Sequence, residues 1–120
     1  MASRRKTGNA VKRADFLSLL ARSKPSRRKY LVSSADASEI LAIAECVLNL
    51  HKRNIRVSAE KKKKLLHFRK ELGGVCSKST SVKRKKQLIL KRGGFLNVLA
   101  SALLPTAIGF ITKTLGLGGN

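Results

Sequence analysis

At Gly93 the chain changes character. Residues 1–92 hold 26 of its 27 Lys and Arg residues and all six acids, whereas residues 93–120 carry a single charge, Lys113. A net charge of +21 opposes compaction of the first part unless a polyanion offsets it. The uncharged second part must find apolar surroundings, in protein or in lipid. With 120 residues there is room for one domain and a small core. Four Phe, one Tyr and no Trp are too few for a base-stacking platform, so any nucleic-acid contact is expected at phosphates, without sequence reading.

The apolar residues fall at helical spacing and nowhere alternate as in a half-buried strand, so the chain is predicted to be all-α. The expected layout is a small basic bundle of about four to five short helices, followed by an apolar C-terminal helical tail. Residues 1–10 read as a disordered basic arm, 11–74 as a basic helical domain, 75–92 as a linker and basic helix, and 93–120 as the tail. Within the domain, residues 11–22 and 25–32 read as helices, the second opened by Pro25 in its first turn. Asp36 and Glu39 have capping-box spacing and open the strongest helix, 37–53, which is apolar nearly all round and so must be surrounded. Ser58 is expected to cap a helix ending at Gly73-Gly74, and residues 82–92 form another, stopped by Gly93-Gly94.

Four cationic runs stand out: Arg4, Arg5 and Lys6; Arg27, Arg28 and Lys29; Lys61, Lys62, Lys63 and Lys64; and Lys83, Arg84, Lys85 and Lys86, continued by Lys91 and Arg92. With Lys12 and Arg13 they are the candidate nucleic-acid contacts, because each cation that meets a phosphate releases counterions and many weak contacts add up. A single run is as well explained by a solvated helix face or a nuclear-import signal. Four runs with so few acids favour double-stranded DNA, with RNA not excluded.

Residues 93–112 contain no charge, and as a helix would extend about 30 Å, enough to cross a bilayer. Phe95, Leu96, Val98, Leu99, Leu103, Leu104, Ile108, Phe110 and Ile111 are its candidate membrane or assembly residues. Pro105 is expected to kink the segment, and Asn97, Ser101 and Thr106 dilute its apolarity. Three dispositions stay open: spanning, lying in an interface, or packing on the body or on another protein. The basic flank before it would also suit an anionic membrane surface.

Cys46 and Cys76 show no disulfide framework, which points to a reducing compartment, and the polar basic N-terminus does not read as a secretory signal. Cys46, His51, His67 and Cys76 lack paired metal-ligand spacing, and no nucleophile–base set or carboxylate pair is evident. Neither an enzyme, a metal nor a cofactor is expected.

The junction itself carries a resemblance. Lys83-Arg84-Lys85-Lys86, then Lys91-Arg92-Gly93-Gly94-Phe95-Leu96, then the apolar stretch to Gly116 resemble the C-terminal half of adenovirus core protein X, the precursor of the mu peptide. The whole layout is similar to the X-like core proteins of adintoviruses and Polinton (Maverick) elements. The resemblance implies a DNA-condensing protein of a virion core, present in the host nucleus, with a capsid protein and a viral cysteine protease as partners. It also implies processing at Gly93 and Gly94, although Lys91 stands where such proteases prefer an aliphatic residue. Two other functions remain open: a membrane-active or tail-anchored protein reading anionic lipid, and an RNA-binding structural protein.

Overall fold

The structure, a computed structural model, describes residues 8–115. Among these the fold is all-helical: α1 (Gly8–Lys12), α2 (Ala14–Arg22), α3 (Pro25–Ser33), α4 (Ala37–His51), α5 (Ala59–Leu66), α6 (Arg69–Cys76), α7 (Val82–Lys91), α8 (Phe95–Val98), a π-turn (Leu99–Leu103) and α9 (Leu104–Leu115). Before the tail, seven α-helical segments, α1 to α7, replace the expected four to five, because two predicted helices are broken. Arg13 (φ −111°, ψ 29°) separates α1 from α2, and Phe68 (φ −110°, ψ 31°) separates α5 from α6. The second break lets Phe68 enter the core, where its ring lies 5.2 Å from that of Phe95. Residues 8–10, expected in the basic arm, open α1 and bury Ala10.

Several helix starts follow directly from sequence chemistry. Asp36 Oδ1 accepts from the Glu39 N–H while Glu39 Oε1 accepts from the Asp36 N–H, closing the capping box at the head of α4. Ser58 and Ser81 cap α5 and α7, and Pro25 occupies the first turn of α3. One expected stop fails: Gly73 and Gly74 lie inside α6, which runs on to Cys76. A Cβ on Gly74 would come within 2.6 Å of Leu88 Cδ1, so this glycine admits the close approach of α6 and α7. The other pair does end its helix, with Gly94 at φ +86°, a left-handed conformation natural only to glycine.

Helix α4 sits at the centre, packed by α1, α2, α6 and α7, as its all-round apolarity requires. The rest of the core comes from an unexpected direction. Residues 95–115 form a continuous rod laid against α2, α5 and α7, and Phe95, Leu96, Leu99, Ala100, Ala102, Leu103, Leu104, Ala107 and Ile111 supply nine of the 27 buried apolar residues. Helical structure continues through Pro105. The π-turn immediately before the proline, with the Leu104 N–H donating to Leu99 O, widens the backbone where the ring would otherwise meet a carbonyl. Asn97, Ser101, Pro105, Gly109 and Lys113 recur every fourth residue and form the outward stripe. The tail is therefore amphipathic, with small and polar groups toward solvent.

Two tertiary devices hold the N-terminal end and the α4–α5 link. Buried Glu45, in the middle of α4, accepts from the Asn9 N–H (3.0 Å), Asn9 Nδ2 (2.7 Å) and the Ala10 N–H (3.0 Å), so it caps α1 from 35 residues away. Glu45→Ala strands these donors and should cost roughly 2–3 kcal/mol. Thermal unfolding with hydrogen exchange at α1 checks this; unchanged α1 protection would contradict it. After α4, Asn49 O accepts from the Asn54 and Ile55 N–H groups, and Arg53 before them takes φ 65°. A left-handed non-glycine residue costs about 1–2 kcal/mol, partly offset by the entropy of glycine, so Arg53→Gly should raise the melting temperature by a few degrees.

Candidate nucleic-acid interface

Helices α3, α7, α6 and α5 are neighbours in that order. Their exposed cations are Arg27 and Lys29 on α3, Lys83, Arg84 and Lys91 on α7, Arg69 and Lys70 on α6, and Lys62, Lys63 and Lys64 on α5; Lys61 is half-buried. Helices α3 and α7 contain no acid at all. Lys12 is exposed at the end of α1, while Arg4, Arg5 and Lys6 lie outside the described residues. Arg69 and Lys70, with Lys24, Lys52, Arg53 and Arg56, are exposed cations that a search for runs passes over. Grouping cations by helix neighbour rather than by adjacency would have found them.

Three residues of the expected set bond main-chain carbonyls at helix ends. Arg28 donates from Nε to Leu20 O (3.0 Å) and from Nη2 to Ala21 O (2.7 Å), and its Nη1 reaches Asn97 Oδ1 (3.2 Å). Lys86 Nζ donates to Ser33 O and Ala35 O, and Lys85 Nζ to Val75 O (2.7 Å) and Ser77 O (2.5 Å). Each cation thus closes the C-terminal end of a different helix, α2, α3 or α6, where carbonyls lack intrahelical partners and the dipole is negative. Lys85 is only 5% exposed, so in this fold it is turned away from any phosphate.

Lys85→Met leaves two carbonyls without their donor and should cost about 1–3 kcal/mol while duplex affinity stays near wild type. Lys83→Gln should do the reverse, and comparing melting with DNA titration for the two variants checks the assignment. Burial lowers the Lys85 pKa below its usual 10.5, an effect that the nearby Cys76 opposes. The unfolded state then binds its proton more tightly, so this residue makes the fold more stable as pH rises through the window below 10.5.

The acids are largely engaged within the fold. Glu71 accepts from Arg92 Nη1 at 3.1 Å, and the Arg92 guanidinium lies 5.0 Å from the Phe68 ring centroid. Arg13 donates from Nε to Ser38 Oγ and pairs with Asp36 at 3.9 Å. Backbone N–H groups lower the pKa of Asp36 and Glu71, with help from the Ser38 and Arg92 side chains respectively. Gly93 and Gly94, the candidate processing site, are exposed. Burial pushes the Cys46 thiol up to about 12, which leaves no thiolate at neutral pH, and raises half-buried Cys76 as well. Among the described residues no three His, Cys, Asp or Glu side chains gather as a metal site would require.

By length and composition Phe95–Lys113, with mean hydropathy 1.8, could cross a membrane. Half of it is buried against the body. Of the candidate membrane residues, Phe95, Leu96, Leu99, Leu103, Leu104 and Ile111 are core, and Val98, Ile108 and Phe110 are partly buried against that core. The chain matches no family model, no curated protein and no solved structure.

Proposed function

We propose that this protein is a non-enzymatic binder and condenser of double-stranded DNA that works through phosphate neutralisation, as a core protein of a virus or virus-like mobile element. The observation that carries the reading is the pairing of α3 and α7: two neighbouring helices with exposed Arg27, Lys29, Lys83, Arg84 and Lys91 and no acid on either. Lys70 on neighbouring α6 and Lys63 and Lys64 on α5 add further exposed cations. The body measures 37 × 29 × 26 Å, so its long dimension is close to one helical turn of duplex, about 34–36 Å. The junction at residues 83–96, with its likeness to adenovirus core protein X and the X-like proteins of adintoviruses and Polintons, supports a virion-core setting with delivery to the host nucleus.

The test is titration of mixed-sequence duplex into the full chain across a salt series, with structured RNA as competitor. Steep salt dependence without sequence preference supports the reading. Preference for structured RNA would move it to an RNA-binding structural protein. A membrane-active reading rests on the apolar helix 95–113 alone and requires that helix to leave the core. Co-sedimentation of the full chain with anionic vesicles, followed by the signal of the buried Phe95–Phe68 pair, separates a released helix from attachment through surface cations.

A further inference from the structure

Helices α4, α5 and α6 enclose an open cleft of about 580 Å³, with no residue of α3 or α7 in its lining. Its floor is apolar, made by Val47, Leu65 and Leu72, and Leu66 extends it to the lip. At 48% exposure Leu66 is one of two exposed large hydrophobic residues among those described. Arg53, Lys62 and Arg69 stand around the opening and no acid lines it. Gly73 also lines the cleft, in the middle of α6. Glycine there costs about 1 kcal/mol of helix stability relative to alanine. Gly74 is explained by its contact with Leu88, but a Cβ on Gly73 would meet nothing within 4 Å. What the missing side chain leaves is space in the cleft.

From this geometry we infer that the cleft is a docking site for an acidic amphipathic helix of another protein, distinct from the DNA-binding surface. Apolar side chains at i, i+3 or i+4 and i+7 enter the groove, and flanking carboxylates meet Arg53, Lys62 and Arg69. Charge complementarity selects this occupant. A second copy would bring a net charge of +21 to a cationic rim, and the parts of this chain outside the described residues, 1–7 and 116–120, contain no acid. A single-chain lipid anion would lie within the cleft and leave Leu66 uncovered at its lip, whereas a helix lying across the opening covers it. Such contact would anchor DNA-loaded protein to an acidic partner surface while α3 and α7 stay on phosphates.

The probe is a synthetic helical peptide of about 18 residues with leucines at that spacing flanked by glutamates. A control peptide has serine for every leucine and the same charge. Anisotropy with the full chain at physiological salt should show the amphipathic peptide binding at least about tenfold more tightly than the control. Leu66→Asp and Gly73→Leu, the second adding bulk where a Cβ meets nothing within 4 Å, should each weaken it by a similar factor. Lys83→Gln should leave it within about twofold. Methyl shifts in NMR should concentrate at Val47, Leu65, Leu66 and Leu72. Equal affinity for the serine control, wild-type affinity in both variants, or shifts spread over the surface would overturn the proposal. So would dodecanoate reproducing the same shifts at lower concentration, or a dimer that Leu66→Asp dissolves. Melting curves of both variants confirm that they fold, and unchanged duplex binding by Gly73→Leu keeps this result separate from the DNA reading.

Discussion

Ending the chain at Gly93 is expected to abolish cooperative unfolding. The shortened protein lacks nine of the 27 buried apolar residues, and Phe95, Leu99, Leu103 and Leu104 among them are at most 1% exposed. Full burial of one such side chain contributes about 1.5–3 kcal/mol, and a domain's whole stability is only about 5–15 kcal/mol, so removing a few of them is enough. Arg28 is also deprived of Asn97, and Phe68 of the Phe95 ring. Circular dichroism should show residual helix melting without a sharp transition, and a hydrophobic dye should bind the uncovered faces of α2, α5 and α7. A truncated chain that melts as sharply as the intact one would show that residues 95–115 do not belong to the core. The same result bears on processing. If a protease cuts after Gly94, the released rod must stay docked for the body to survive, and the cut product should co-migrate as one particle.

Duplex affinity should fall about 10³–10⁵-fold between 50 and 200 mM salt if six to ten phosphates are engaged, since the logarithmic slope is close to −0.9 per neutralised phosphate. The exposed cations of α3 and α7, with Lys63, Lys64 and Lys70, supply enough charge for that number. Replacing Arg27, Lys29, Lys83 and Arg84 with glutamine should reduce the slope by roughly one for each phosphate left unneutralised and weaken all sequences alike. Lys85→Met, with its amine on Val75 and Ser77 carbonyls in the native fold, should leave the slope unchanged. Affinity that does not respond to salt would eliminate phosphate neutralisation as the mechanism. A slope that Lys85→Met and Lys83→Gln reduce equally would mean that the helix-capping cations are also released to DNA.

The helical class, the capping box at Asp36 and Glu39, the serine cap of α5, Pro25 in α3 and the Gly93-Gly94 stop were legible in the sequence. They depend on interactions within a few residues. The cationic set was legible as composition but not as geometry. Within a single run, Lys83 and Arg84 are exposed, Lys85 is buried and Lys86 caps α3, because helical rotation points adjacent residues in different directions. The fate of the tail needed the tertiary structure as well. Its outward stripe at Asn97, Ser101, Pro105, Gly109 and Lys113 was present in the sequence, but a tail of this apolarity suits lipid and protein alike.

The sequence by itself determined that part of this protein carries a charge that opposes its own compaction, and that the rest must leave water. Only the tertiary structure decided that the two parts answer each other. The basic body is too small to supply a full core, and residues 95–115 complete it. The physical reason is that burial is non-directional: it requires apolar surface to be covered but does not specify by what. In this fold the cover comes from complementary surfaces on α2, α5 and α7, brought together from distant positions in the chain.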